Sequence, residues 1–330
     1  MPITHATTRA FAGLKHLRYW ALSPTLGRRQ INVTLHVTAC LTFAFCSLAI
    51  VASVASPPDV LCALDVPVAD MATLISGAEL EAALDGGEPP LVFDCRNFFR
   101  TDDPRGAYAA GHIPTAGYLE SATDLAEDGA PFANTRPTSA EALSASLGRL
   151  GLGSTSDWVV LYGRGPVDDQ SVPIGGRAAS GMMWATRCWW VLRSWGFTRV
   201  AILDGGFDRW LADGRAVTTG VESYPSAAFD ASTLHDRAFV SASREAVLER
   251  VQKIERGDKS VVLLDSLPTA SYEGTGTASN GRRQGHIMGA VSLPYGDLFD
   301  SATGLFLPAP ELSVKFQRVG ITKGVPVLAY

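Results

Sequence analysis

An α/β fold is predicted, with two tandem domains, each a parallel sheet covered by helices on both faces, and the second domain incomplete. Three observations predict it. Two short stretches, Gly111-His112-Ile113 and Gly285-His286-Ile287, occupy matching places in two copies of one pattern. Each follows an apolar strand that ends in aspartate, Leu91-Val92-Phe93-Asp94 in the first copy and Val262-Leu263-Leu264-Asp265 in the second. Each is followed by apolar residues at helical spacing, a glycine, and a further apolar strand ending in tyrosine, at Tyr162 and at Tyr330. Self-similarity on this scale marks a tandem repeat. Alternation of strand and helix marks a parallel sheet.

Residues 1–70 stand outside the repeat. Arg9, Lys15, Arg18, Arg28 and Arg29 precede a run from Ile31 to Pro58 without a charged residue. A basic flank before a long uncharged segment reads as a membrane helix, which would bring residues 33–55 into contact with a membrane. Ser53-Val54-Ala55 offers a small-x-small cleavage site, so a secretory signal is a second reading. A true start at Met71 is a third, and would set the whole stretch outside the protein. Localisation follows these readings: cytoplasmic if Met71 is the start, membrane-anchored or exported otherwise.

The first domain is expected over residues 71–215. Ser76 and Glu79 have the three-residue spacing of a capping box ahead of the apolar helix Leu80–Leu84, and Gly86-Gly87 ends it. Strand Leu91–Asp94 is continuously apolar, as a strand buried on both faces must be. Thr138 and Glu141 have the same spacing before Leu143, Leu147 and Leu150, and Gly151 stops that helix. Strand Trp158–Tyr162 follows, then a Gly/Pro/Asp loop from Gly163 to Gly176. A helix is expected from Arg177 to Trp195. Strand Val200–Leu203 leads into the turn Asp204-Gly205-Gly206 and a short helix with Phe207 and Trp210. Residues 216–238 lack periodicity and read as a linker. The second domain, 239–330, has an amphipathic helix from Arg244 with Val247, Leu248 and Val251 inward. Its strand Val261–Asp265, helix Glu311–Val319 and strand Val325–Tyr330 match elements of the first copy. Tyr330 aligns with Tyr162, past which the first copy runs on for about another 55 residues.

Composition excludes several classes. The net charge of −5 gives no general attraction to nucleic acid or to an anionic surface. The five cysteines are odd in number and have no CxxC spacing, which argues against a disulfide framework and a zinc site. No metal cluster and no cofactor motif is present. The candidate chemical groups each carry a structural reading too. Cys95 ends a strand where α/β sheets place their sites, but free cysteine is commonly a small core hydrophobe, and Cys188 beside Trp189 reads the same way. His112 and His286 are either acid–base groups or fix the turn into the next strand. Asp94 and Asp265 either move protons or pair with an arginine. Arg177 is either an anion holder or a solvated helix start.

Asp94 with Arg96 close behind, Gly111-His112-Ile113-Pro114, and Leu203-Asp204-Gly205-Gly206-Phe207 with Trp210 are similar to the rhodanese-like sulfurtransferases. The duplication resembles the tandem thiosulfate and 3-mercaptopyruvate sulfurtransferases, over residues 71–330. The resemblance implies a cysteine directly after Tyr330, set in a loop of backbone amides that stabilises the thiolate. It would carry sulfur as a persulfide from a small sulfur-containing anion to a thiol acceptor. The chain to Tyr330 is then expected to be inactive and poorly soluble. Asp265, Tyr272, Arg282, Arg283 and His286 would lie next to the substrate. Asp94, Arg96, His112 and Asp204 would be structural. Two departures follow from the resemblance: no cysteine follows Tyr162, where the loop is Gly163 to Asp169, and Ser271 stands where such enzymes tend to carry a donor-binding arginine. A non-catalytic, membrane-anchored binding module is the alternative. A dual-specificity phosphatase with a related fold is a third reading, against which the duplication argues.

Overall fold

In the computed structural model the described residues are 73–96, 103–126, 139–164, 174–235, 242, 244–275 and 285–330. The basic flank, the segment 33–55, Thr138, Asp168, Asp169, Arg282 and Arg283 lie outside them, as do the side chains of residues 174–180. No helix among the described residues is long and apolar enough to cross a membrane.

The first repeat runs β1 (Leu74–Ile75), α1 (Gly77–Leu84), β2 (Leu91–Asp94), α2 (Pro104–Ala110), β3 (Gly117–Tyr118), α3 (Ala140–Arg149), β4 (Val159–Tyr162), α4 (Ile174–Ser194), β5 (Val200–Leu203) and α5 (Gly206–Ala212). Its five strands are parallel in the order β1-β5-β4-β2-β3. The second repeat runs α6 (Arg244–Glu255), β6 (Val262–Asp265), α7 (Thr269–Glu273), β7 (Val291–Ser292), a 3-10 turn at Tyr295–Leu298, α8 (Ala309–Arg318) and β8 (Val327–Ala329). Its parallel order β7-β6-β8 reproduces β3-β2-β4 of the first. The strand-end bonds repeat as well: the Cys95 amide donates to the Tyr162 carbonyl at 2.7 Å, and the Ser266 amide to the Tyr330 carbonyl at 3.3 Å.

Local signals place the helices. At α1 the capping box forms, the Glu79 amide donating to Ser76 Oγ at 3.2 Å and the Ser76 amide to Glu79 Oε2 at 2.8 Å. At α3 the cap is Ser139 and not Thr138. Ser139 Oγ accepts the Ala142 amide at 3.2 Å, so the expected box with Glu141 is out of register by one residue. Helix α4 starts three residues before the expected Arg177. On α6, Val247 is inward as expected, but Leu248 is 40% exposed, because the buried stripe runs through Val247, Arg250 and Val251.

Strand residues alternate between two cores, as the two-residue period of a strand requires. Val92, Val160 and Ala201 face α1 and α5, with Leu80, Phe207 and Trp210. Phe93, Leu161 and Ile202 face α3 and α4. That second core is continuous with Leu264, Leu298, Phe299, Phe306, Leu312 and Phe316 of the second repeat, so one apolar cluster joins the two. Asp204, just past β5, adds a polar tie across the same boundary by accepting the Phe306 amide at 2.9 Å.

The described part of the segment expected to be a linker, residues 216–235, is hydrogen-bonded at intervals to the first repeat. Thr218 and His112 exchange backbone hydrogen bonds at 3.0 Å. The Glu222 carbonyl accepts from the Tyr108 hydroxyl at 3.0 Å. Tyr224 accepts the Val92 amide at 2.8 Å and packs edge-on against Phe93. The amides of Ala227, Asp230 and His235 donate to Gly148, Gly153 and Trp195. These partners lie at irregular intervals on several elements, so the segment has order without a sequence period. Tyr224→Phe leaves a buried strand amide unpaired, a loss of about 1–3 kcal/mol. Urea denaturation should show that loss at unchanged slope.

Candidate functional site

The carboxyl ends of β2 and β4, and of β6 and β8, carry the same arrangement twice. Tyr108 donates its hydroxyl to the Ala116 carbonyl at 2.6 Å, and Tyr272 to Ala290 at 2.9 Å. His112 Nδ1 lies 3.0 Å from the Tyr108 carbonyl, and His286 Nδ1 lies 2.8 Å from that of Tyr272. A carbonyl only accepts, so Nδ1 carries the proton in both. Each imidazole stacks on its tyrosine, with ring centroids 4.1 Å apart in the first repeat and 3.7 Å in the second. The amides of Ile113 and Ile287 then donate to the hydroxyls of Tyr162 and Tyr330, at 3.2 and 2.6 Å. Both histidines therefore fix the turn into the next strand. Their settings differ: His112 is buried with Nε2 3.4 Å from Glu222, and His286 is exposed.

The two aspartates differ more. Asp94 is fully buried and Arg96 nearly so. Arg96 Nε donates to both Asp94 oxygens at 2.9 and 2.8 Å, and Nη2 donates to Oδ2. The same guanidinium donates to the carbonyls of Ala107 at 2.6 Å and Gly111 at 3.0 Å. One cation thus satisfies a carboxylate and two carbonyls, the kind of fork an arginine supplies. Asp265 is equally buried, but the residue two places on is Leu267. Oδ1 accepts the Leu267 amide at 2.8 Å, and the Tyr330 hydroxyl is the other donor facing the carboxyl among the described residues. Burial pushes the Asp265 carboxyl above the ordinary aspartate range, against the Leu267 amide, the Tyr330 hydroxyl and His286, which favour the charged form. Of the two readings of these aspartates, pairing with an arginine is seen for Asp94 and, among the described residues, not for Asp265. The adjacent Ser266 is 2% exposed, and its hydroxyl has no partner among the described residues.

The residue after Tyr162 is Gly163, and the position is closed. A Cβ there would sit 2.0 Å from the Gly181 carbonyl oxygen, while the Gly163 carbonyl accepts the Phe207 amide at 3.0 Å. Arg96 and Arg164 both lie over the Phe207 ring, at 5.2 and 5.1 Å, and Arg164 is 3.9 Å from Asp208. No side chain can occupy the place where a loop nucleophile would stand in this repeat. Cys95 and Cys188 are both fully buried. Burial raises the Cys95 thiol well above its usual range, with Cys188 and Asp94 adding to the effect. A thiol so held is a poor nucleophile. The described residues contain no cluster of metal-ligating side chains.

Of the residues singled out from the sequence, Asp265, Tyr272 and His286 come together around Tyr330. Arg282 and Arg283 lie outside the described residues. Gly163, Ser266 and Leu267 went unnoticed as site residues, though aligning Asp94-x-Arg96 with Asp265-x-Leu267 would have exposed the last.

A rhodanese-like domain model matches residues 76–213. A Mycobacterium tuberculosis protein named as a thiosulfate sulfurtransferase, SseB, is 31% identical over 260 residues, covering 78% of this chain and 82% of that protein. The human 3-mercaptopyruvate sulfurtransferase is 28% identical over 255 residues, covering 76% and 77%. Among solved structures, SseA of Escherichia coli, a 3-mercaptopyruvate sulfotransferase with the rhodanese fold, superposes with a TM-score of 0.59 at 21% identity, over 78% of this chain and 87% of that one. EanB in complex with hercynine superposes with a TM-score of 0.62 at 19% identity, over 78% and 59%.

Two outcomes are expected. Gly163→Ala should lower stability by about 3 kcal/mol or more, the range of severe overpacking against backbone, read as a fall in thermal midpoint. Burial pushes Asp204 up to about 6, against the amides of Phe306 and Gly205. A carboxyl raised on folding contributes stability that is complete below its unfolded value and is lost as pH rises through the folded one. Stability should therefore fall between about pH 4 and pH 6. Asp204→Asn, which can still accept from Phe306, should flatten that part of the pH profile of the denaturation midpoint.

Proposed function

This chain belongs to the rhodanese-like sulfurtransferase family, and we propose that its second repeat moves a sulfane sulfur from a thiosulfate- or mercaptopyruvate-like donor to a thiol acceptor. The observation that carries this reading is the asymmetry of two otherwise matching strand ends. Tyr162 is followed by a glycine sealed against Gly181, whereas the end of β8 at Tyr330 has the same supporting bonds to the Ile287 amide and β6. In this reading the sulfur carrier is a cysteine that follows Tyr330. Its thiolate attacks the outer sulfur of the donor. The bond between that sulfur and the rest of the donor breaks, and its electron pair leaves with the departing group. An acceptor thiolate then attacks the outer sulfur of the persulfide, which restores the cysteine thiolate.

The second repeat supplies the frame for these steps. β6 and β8 direct their carboxyl ends to one place, where parallel sheets present their sites. Tyr272 and His286 hold the turn beside it, and Asp265 sets its charge. Ser271 stands where the family tends to carry a donor-binding arginine, which argues against thiosulfate as the donor. That residue, with the sealed first repeat, also favours the second reading, a binding module without turnover.

The test is sulfur transfer to cyanide or to a thiol, followed as thiocyanate or as pyruvate, in protein that extends past Tyr330. Turnover is expected there, and residues 1–330 alone should give none. Cys95→Ser and Cys188→Ser should change the rate by less than about twofold, since both thiols are fully buried. Absence of turnover with either donor class in the extended protein sinks the transfer reading and leaves the binding module. Loss of turnover in Cys95→Ser with the fold intact would move the chemistry to the first repeat.

A further inference from the structure

The carboxyl end of β6 is held from the first repeat. Past β7 the chain turns at Tyr295–Leu298 and doubles back as a hairpin. Phe299 is bridged to Phe306 with their rings 4.2 Å apart, and the Leu307 amide donates to the Leu298 carbonyl at 2.9 Å. The tip is closed by Asp300, whose Oδ1 accepts the amides of Ala302 and Thr303 at 3.1 and 2.7 Å. At one end of this unit the Tyr295 amide donates to the Ser266 carbonyl at 2.9 Å, and the Ser266 amide donates to the Tyr330 carbonyl at 3.3 Å. At the other end the Phe306 amide donates to Asp204 Oδ1 at 2.9 Å. A short run of hydrogen bonds thus leads from the end of β5 to the paired ends of β6 and β8.

Apolar packing holds the hairpin against the first repeat but does not fix its place. Leu298, Phe299 and Phe306 share a core with the first repeat, and α4 lies against the Tyr295–Leu298 turn. Burial is non-directional, so such a contact can slide, whereas a hydrogen bond to a fixed acceptor sets a register. Asp204 is fixed in this sense. Its amide donates to the Ile75 carbonyl at 2.9 Å. Gly205, at φ 77°, brings its backbone so near Leu305 that a Cβ there would sit 3.1 Å from Leu305 Cδ2.

We propose that Asp204 of the first repeat is a positioning residue for the second repeat's site, fixing the hairpin and through it the ends of β6 and β8. This deepens the transfer reading and rests on it for the word site, though not for the mechanical tie. Asp204 touches neither donor nor acceptor in this role. What the role needs is an oxygen that accepts the Phe306 amide, so Asp204→Asn keeps it and Asp204→Ala loses it.

The experiment is amide hydrogen exchange, read by mass spectrometry on peptides covering residues 293–300 and 301–308, with β4 peptides as the internal reference. It needs no turnover. Asp204→Ala should speed exchange in both peptides by about tenfold or more relative to β4, the scale of one lost buried hydrogen bond. Asp204→Asn should stay within about twofold of the parent protein. If Asp204→Ala does not fold, Asp204→Ser, whose oxygen is one bond shorter, takes its place. Faster exchange confined to 301–308 makes the contact local and overturns the proposal. Exchange raised equally in β4 makes it a matter of global stability and overturns it too. Asparagine exchanging as fast as alanine rules out the acceptor role.

Turnover separates this inference from the transfer reading. In protein that extends past Tyr330 and turns over, Asp204→Ala should lower kcat per folded molecule by about tenfold, the kind of loss a misplaced reacting group produces. KM for the donor should stay within about twofold, and Asp204→Asn should restore kcat. Unchanged kcat in Asp204→Ala overturns the positioning role. Absence of turnover in the parent protein sinks the transfer reading alone, and exchange at residues 293–300 still decides whether Asp204 holds the strand end.

Discussion

A carboxylate buried at the end of a parallel strand must find a counter-charge or hold its proton, and both sheets of this protein are built around that demand. In the first repeat Arg96 meets it completely. The guanidinium is shared with two carbonyls from the helix and turn that follow, so the salt bridge also anchors the chain from Ala107 to Gly111. Taking charges out of water costs several kcal/mol each, and such a pair is tolerated only when its remaining donors are used. Here they are. In the second repeat the same carboxylate sits in the same frame with Leu267 in the place of the arginine, and among the described residues it is held by the Leu267 amide and the Tyr330 hydroxyl.

The rest of the frame is indifferent to that difference. Tyrosine stacked on histidine, histidine bonded to the tyrosine carbonyl, and isoleucine amide bonded to the second tyrosine recur with distances that differ by only tenths of an ångström. The motif is therefore a turn-building device that comes before any chemistry. Its presence in the first repeat, where Gly163 is sealed by Gly181, separates scaffold from function within one chain. The first repeat serves the second instead: its apolar core continues into Leu298, Phe299 and Phe306, and Asp204 reaches across to the Phe306 amide.

The duplication, the parallel strands and the cap at Ser76 were legible in the sequence, and for the histidines the turn role was one of two open readings. Each depends on residues a few places apart, whose spacing maps directly onto strand or helix periods. Val92 and Phe93 on opposite faces of β2, repeated by Leu263 and Leu264 on β6, follow from the same alternation. The segment after α5 was not legible, because Thr218, Glu222 and Tyr224 bond to groups more than 100 positions away. The register of the α3 cap was missed because Thr138 and Ser139 are adjacent and chemically alike.

The sequence by itself determined the fold family and the doubling of the unit, since hydrophobic period and turn chemistry are local properties that survive without coordinates. Only the tertiary structure decided which of the matching positions are open. Whether a Cβ fits beside Gly163, whether Asp265 is paired, and whether His286 faces solvent all depend on atoms brought in from distant parts of the chain. Excluded volume and burial are properties of packing, and packing has no period to read.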